Sequence, residues 1–191
     1  AGSGGDNVDI PAASKKGVIV MNTPFGNSIT TAEHAIAMMF AVARQIPAAR
    51  ASTHDGKWEK AIFMGSEITG KTLGILGCGN IGSVVASRAL GLKMKVIAFD
   101  PFLSAERAQE IGVEKIGDLK DLLGRADIVT LHMPKTEQTA NILSAERIAQ
   151  MKPGARLVNC ARGGLVDEAA VAEAVKSGHL AGAAFDVFAE E

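Results

Sequence analysis

Gly77-Cys78-Gly79-Asn80-Ile81-Gly82 follows an apolar run, Thr72 to Leu76, and opens a segment of helical apolar periodicity. Asp100 closes the next apolar run, Lys95 to Phe99, 18 residues past the last of these glycines. A glycine match alone is weak, since a turn that merely packs would satisfy it. Strand, glycine turn, helix and acid in that order form a dinucleotide fingerprint in which each part has a physical task. Gly77 permits the tight turn, Gly79 lets backbone N–H groups approach a pyrophosphate, and Gly82 lets the helix sit close to the strand. The first N–H groups of that helix lack internal partners, so its positive end suits the pyrophosphate. Asp100 would accept hydrogen bonds from the adenosine ribose hydroxyls and repel a 2′-phosphate. The expected cofactor is therefore NAD rather than NADP.

Around this unit the chain alternates. Strand-like runs fall at 72–76, 95–99, 112–116, 127–132, 156–160 and 182–187, with helical segments at 81–92, 104–111, 118–125, 144–150 and 167–177. Ser104, Asp118 and Asp167 are N-cap candidates, and Gly112 and Gly178 are stop candidates. Several strands are nearly all apolar, as expected when helices cover both faces of a sheet. The fold class expected is α/β, a doubly wound parallel sheet of Rossmann type in the order 3-2-1-4-5-6.

Upstream, the sequence reads as a loop, a short helical stretch from Ile10 to Lys16, and a strand from Gly17 to Met21 that ends at Asn22-Thr23-Pro24. A helix follows, with Thr30 and Glu33 as a capping box and Ile36, Met39, Phe40 and Ala43 as its buried stripe, until Pro47 ends or kinks it. Residues 51–70 are mixed and polar, with Trp58 and Phe63 as expected anchors of an ordered excursion.

The bulk properties exclude several classes. Lys plus Arg (20) nearly balance Asp plus Glu (21), so no field draws the chain to nucleic acid or to an acidic membrane surface. No apolar run approaches the roughly 20 residues of a membrane span. Two cysteines, Cys78 and Cys160, lack metal-type spacing and suit a reduced, cytoplasmic setting, and four scattered histidines offer no metal pattern.

In such a sheet, ligands bind outside the carboxyl ends of the strands. The sequence puts there the glycine loop, Asp100-Pro101, His132-Met133-Pro134, Cys160-Ala161-Arg162-Gly163-Gly164, and Asp186-Val187-Phe188-Ala189-Glu190-Glu191. Arg162 before two glycines presents a bidentate fork beside backbone that a ligand can approach, or else forms a surface ion pair. Asp186 either hydrogen-bonds a nicotinamide amide or caps a turn. His132, ending a buried strand, reads as a packed histidine rather than a general base. Cys160 has no histidine to activate it and reads as a contact rather than a nucleophile.

Three stretches together resemble the D-isomer-specific 2-hydroxyacid dehydrogenases: Cys78-Gly79-Asn80-Ile81-Gly82, Asn159 through Glu168, and Gly182-Ala183-Ala184-Phe185-Asp186-Val187-Phe188. Gly2-Ser3-Gly4-x-Asp6-Asn7-Val8-Asp9, Met21-Asn22-Thr23-Pro24 and Ala43-Arg44-Gln45-Ile46-Pro47 extend the resemblance over essentially the whole chain. The arginine and Asp-Val-Phe motifs are specific to that family, whereas the glycine loop is not.

The resemblance implies hydride transfer between NAD and C2 of a 2-hydroxy or 2-oxo acid. Within the family the chain is most similar to the branch that oxidises D-3-phosphoglycerate to 3-phosphohydroxypyruvate in serine biosynthesis. Glyoxylate or hydroxypyruvate reduction, or an NAD-sensing corepressor-like module, are the alternatives. By the same resemblance Arg162 holds the substrate carboxylate and carbonyl oxygen, and Glu191 is the carboxylate that raises the pKa of a catalytic histidine. Ser3, Asn80, Ile81, Asp100, Met133, Pro134, Cys160, Ala161, Arg162 and Asp186 line NAD beside Gly77, Gly79 and Gly82, and Asn27 contacts substrate. Met133 stands where the family usually has threonine, and Gly5 where it usually has an apolar residue.

Residues 1–25 are then expected to be a remnant of a substrate-binding domain with its hinge, and 26–191 the NAD-binding domain. The chain starts without Met on a glycine loop, and the family's catalytic histidine follows its glutamate by some twenty residues. A piece of a longer protein, little active unaided, is the expectation. A homodimer or homotetramer is also implied, with the 30–46 helix and residues 51–70 contributing.

Overall fold

The computed structural model describes residues 4, 5 and 8–190. Six strands form one sheet: β1 (Thr72–Leu76), β2 (Lys95–Phe99), β3 (Glu114–Lys115), β4 (Ile128–Leu131), β5 (Ala155–Asn159) and β6 (Leu180–Phe185). Their order is β3-β2-β1-β4-β5-β6 and all neighbours run parallel. This is the expected doubly wound sheet. It reverses direction between β1 and β4, where the connections leave to opposite sides and open a crevice at the carboxyl ends.

The period-two alternation of each strand sends side chains into two cores. Leu73, Ile75, Val96, Ala98, Ile128 and Val158 face helices α2 (Ser28–Ala43) and α4 (Asn80–Gly91), meeting Met39, Ala43, Ala86 and Ala89. Leu76, Ile97, Val129, Leu131 and Leu157 face α6 (Leu119–Arg125), α7 (Ala145–Ala149) and α8 (Glu168–Lys176), meeting Leu122, Leu123, Ile148 and Val171. Both faces are covered, which is why β1 and β4 are nearly all apolar, broken only by Thr72 and the buried Thr130.

Short polar side chains start the helices. The Arg107 N–H that opens α5 (Ala105–Glu110) donates to Ser104 Oγ, and the Lys120 and Ala170 N–H groups donate to the Asp118 and Asp167 carboxylates. Ser144 caps α7 in the same way. At the amino ends of the strands, Asp127 accepts the Thr72 N–H at 2.8 Å and pairs with Lys152 at 2.6 Å, seaming β1 to the approach of β5. Burial raises the pKa of this carboxyl, but the Lys152 ammonium and the Thr72 N–H outweigh it and hold the group below the usual carboxylate range.

Several expectations upstream of β1 need correction. The helix expected over 10–16 is present as α1 (Ile10–Lys15), but residues 17–21 form no strand. They pair with no strand among the described residues, and Ile19 and Met21 are more than 80% exposed (83% and 86%). Helix α2 begins at Ser28 with Asn27 as N-cap, so Thr30 lies inside the first turn and forms no capping box with Glu33. Its buried positions are Ser28, Ala32, Ala35, Met39 and Ala43, so Met39 and Ala43 are buried as expected, while Ile36 and Phe40 only flank the core and the small Ser28, Ala32 and Ala35 take the rest of the stripe. Pro47 does not end α2. Gln45, in a left-handed conformation with φ 53°, turns the chain, and Pro47 sits in the first turn of α3 (Ile46–His54). A proline is tolerated there because its missing N–H has no helical partner anyway. Trp58 anchors nothing among the described residues: it is 81% exposed, while Phe63 is half-buried. The strand expected over 112–116 shrinks to the exposed pair Glu114–Lys115, an edge strand held only by β2.

Candidate dinucleotide site

The carboxyl edge of the sheet is assembled from the segments that follow β1, β2, β4, β5 and β6. After β1, Gly77 adopts φ 88°, and its N–H donates to the Phe99 carbonyl of β2 at 3.0 Å. A Cβ at Gly77 would press on the His132 carbonyl, 2.7 Å away, so this turn and the end of β4 meet backbone to backbone. A Cβ at Gly82 would collide with the Gly77 carbonyl, which is how the first turn of α4 packs directly on the loop. At Gly79 a Cβ would meet nothing within 4 Å. The loop therefore closes tightly on its protein side and faces open space on the other.

Helix α4 starts from Gly79 without any side-chain cap. Its leading N–H groups form the positive end of the helix beside that open space, where an anionic pyrophosphate would be favoured. Asp100 stands beside the loop. Its Oδ2 accepts the Cys78 N–H at 2.7 Å and its Oδ1 accepts the Phe102 N–H at 2.8 Å. Each carboxylate oxygen has two acceptor positions, so one on each remains for the ribose hydroxyls. Open cradle, uncapped helix and placed carboxylate fit NAD.

Asn80 opens α4 and reaches back toward the Pro24 carbonyl (Nδ2 to O, 3.5 Å), bringing the 22–27 segment to the loop. Asn27 is exposed at the start of α2. Ile81 lies against the α2–α4 core. The Met133 side chain is buried in the opposite core, beneath Gly77, so at this position only backbone faces the site, with the exposed Pro134 after it.

His132 is half-buried, with Nε2 2.9 Å from Thr130 Oγ1 and Nδ1 enclosed without a partner. Burial lowers its pKa from 6.5 to about 4, so the ring is neutral at pH 7. Burial likewise raises both thiols to about 11, Cys78 with help from Asp100 and Cys160 with help from Asp186. Neither is a thiolate near neutrality.

The turn after β5 is held by Asn159, to which its residue type and place in the motif alone assign no role. Asn159 is 1% exposed, and its side chain accepts the Ala161 N–H at 3.1 Å and donates to the Arg162 carbonyl at 3.0 Å. The Arg162 guanidinium in turn donates to the Ala161 carbonyl at 2.7 Å. A polar residue ending an apolar strand was the one available signal for this clamp. Chain 188–189 passes so close over Gly163 that a Cβ there would overlap the Phe188 carbonyl.

Beyond β6 the Asp186 N–H extends the ladder to the Asn159 carbonyl at 3.0 Å, setting Asp186 beside the Arg162 turn. Its Oδ1 lies 3.3 Å from His34 Nε2 on α2. Phe188 stacks on Phe185 with centroids 6.2 Å apart, and the Ala189 N–H donates to the Glu168 carboxylate at 2.8 Å. Ser3 and Glu191 lie outside the described residues. The structure thus gathers the glycine loop, Asp100, Cys160, Ala161, Arg162 and Asp186 along one edge.

Residues 36–191 match the family described as D-isomer specific 2-hydroxyacid dehydrogenase, NAD binding domain. The chain is 52% identical, over its whole length, to a D-3-phosphoglycerate dehydrogenase of Synechocystis, covering 34% of that protein. It is also 52% identical over its whole length to a D-3-phosphoglycerate dehydrogenase of Bacillus subtilis, covering 36%. Among solved structures, the TT0316 protein from Thermus thermophilus superposes over the full chain with a TM-score of 0.92 and 38% identity, the match covering 60% of that protein. The chain spans about a third of the length of these dehydrogenases of known name.

Proposed function

Since this chain belongs to the D-isomer-specific 2-hydroxyacid dehydrogenase family and carries its NAD-binding domain, we propose that it serves the NAD-dependent oxidation of D-3-phosphoglycerate to 3-phosphohydroxypyruvate, an entry to serine biosynthesis. The observation that carries this reading is the convergence of Asp100, Arg162 and Asp186 on the edge where the glycine loop opens. The substrate rests on the 52% identity to relatives named for it.

Each residue then has a task. The uncapped N–H groups of α4 hold the pyrophosphate, and Asp100 takes the adenosine ribose hydroxyls while its charge rejects a 2′-phosphate. Asp186 accepts from the carboxamide and so fixes which face of the nicotinamide is presented. When bound, NAD supplies the hydride acceptor. Arg162, held by Asn159, grips the substrate carboxylate with a fork that cannot lose its proton, aligning C2. Ser3 and Asn27 add contacts from the N-terminal side. Glu191 would hold a catalytic histidine in its protonated form when the hydroxyl proton is passed on. On this reading residues 26–191 form the NAD-binding domain, and 1–25 belong to a substrate-binding domain and hinge.

The same reading puts the protein in the cytoplasm as a homo-oligomer. The free buried thiols suit a reducing compartment, and the exposed Ile46, Trp58, Ile62 and Met64 of α3 and the segment after it suit cover by a second copy.

Calorimetric titration with NADH and NADPH tests the cofactor assignment. Binding of NADH in the micromolar range, with NADPH at least about tenfold weaker, is expected from the loss of one charged hydrogen-bond partner. Equal binding, or none, would overturn it. Comparing rates on 3-phosphohydroxypyruvate, glyoxylate and hydroxypyruvate tests the substrate, and a preference for either unphosphorylated acid would sink that part.

A further inference from the structure

His34 shares the exposed side of α2 with Ile29 and Glu33. It lies on the exposed face of α2 and is 3.3 Å from one oxygen of Asp186. Asp186 is fixed from behind by its backbone bond to Asn159. The contact runs from His34 Nε2 to Oδ1 alone, and it is an ion pair only when the imidazole carries a proton. The pair is half-exposed, 45% and 52% at the side chains, so proton exchange with solvent is open to it. The field of the carboxylate reaches neighbouring groups, since it contributes to the raised pKa of the Cys160 thiol.

The charged and titratable groups on the elements packed around α2 do not compete for this pair. Arg88 of α4 is tied to Glu33 at 3.6 Å, Arg156 of β5 donates to Ser66 Oγ at 3.1 Å, the Arg162 guanidinium donates to the Ala161 carbonyl, and Glu168 of α8 takes the Ala189 N–H. Arg50 and His54 lie on α3, which follows the opposite end of α2 from His34. Cys160 stays protonated across the range in which histidine titrates.

The oxidised nicotinamide ring is a cation and the reduced ring is neutral. A carboxylate beside the ring therefore attracts one form over the other, and cancelling its charge removes that preference. Histidine is the side chain whose ordinary titration falls near neutrality. We infer that His34 is a positioning and charge-setting residue for the cofactor site: neutral, it leaves Asp186 anionic and favouring NAD+; protonated, it cancels that charge and moves the site toward NADH. This rests on the reading of Asp186 as the nicotinamide contact. Falling pH would then bias the protein toward holding reduced cofactor, a discrimination built into the scaffold rather than into the reacting groups.

The test is the ratio of dissociation constants, NAD+ over NADH, measured by calorimetry or NADH fluorescence from above to below the ordinary histidine range. In the unaltered protein the ratio rises by about three- to tenfold as pH falls, the scale of one half-exposed charge pair. In His34→Gln, which keeps a donor for Asp186 but cannot gain a proton, the ratio stays at its high-pH value throughout. In His34→Lys, which is cationic at every pH tested, it stays at the low-pH value. A flat ratio in the unaltered protein while both cofactors bind overturns the role of His34, as does a pH response that survives in either variant. Failure of the unaltered protein to bind either cofactor overturns the site itself, and this inference with it.

Discussion

The Asp100 carboxylate accepts the Cys78 N–H at 2.7 Å, so the acid at the end of β2 also fastens the glycine loop after β1. One residue thereby carries both the shape of the loop and the choice of cofactor. Asp100→Ala is expected to weaken NADH binding by about ten- to a hundredfold, the scale of hydrogen bonds to a charged group, and to narrow the gap to NADPH. Asp100→Asn keeps an acceptor for Cys78 and removes the charge, so it should lose discrimination more than NADH affinity. Parallel titrations decide; an Asn variant that still rejects NADPH as strongly as before would refute the charge argument.

Two glycines of the same loop are expected to fail in opposite ways. Gly82→Ala drives a methyl into the Gly77 carbonyl and should cost about 2–3 kcal/mol of stability, as overpacking does. Gly79→Ala meets open space, so its thermal midpoint should stay close to the original while NADH affinity collapses. Thermal melts beside calorimetry separate the two, and a Gly79 variant with unchanged affinity would show that the pyrophosphate lies elsewhere.

Asn159 is buried with both ends of its amide in use. Asn159→Ala strands the Ala161 N–H and the Arg162 carbonyl and should cost about 2 kcal/mol. Asn159→Asp cannot donate to the Arg162 carbonyl and is expected to be no better. Urea midpoints report the loss, and a neutral Asn159→Ala would mean the turn holds itself.

Acid stability should carry the mark of His132. Its folded pKa is about 4 against 6.5 for the free side chain, so the unfolded chain takes up a proton that the folded one refuses. Stability is full above pH 6.5 and is lost as pH falls toward 4, by about 3 kcal/mol in all if the shift is fully expressed. His132→Asn should flatten this part of the profile. Carboxylates such as Asp127, held below their usual range, titrate lower and do not obscure it. A variant with the original slope between pH 6.5 and 4 would assign the loss to another group.

The sheet was legible because apolar runs such as Leu73–Leu76 and Ile128–Leu131, separated by capped helices, leave one economical topology. The edge that gathers Asp100, Arg162 and Asp186 followed from that topology and the glycine loop. Where local chemistry had two readings, the sequence misled. Pro47 suits a helix end as well as a helix start, so α3 went unseen, and the apolar 17–21 run says nothing of whether a partner strand exists. The α2 stripe is legible at Met39 and Ala43 but not at Ser28, Ala32 and Ala35, because alanine and serine mark close helix packing while pattern reading weights the larger Ile36 and Phe40. The Asn159 clamp and the His34–Asp186 pair join residues whose relation exists only once β5, β6 and α2 have docked.

Gly77 rests against the His132 carbonyl with no side chain between them. The mouth of the crevice is thus framed by main chain, whose spacing does not change when residues around the rim do. Such a frame behaves as a fixed aperture with an interchangeable lining. Mutational drift at the exposed Pro134 can retune what is laid across the opening without altering its width, while any residue but glycine at position 77 would force the frame itself apart.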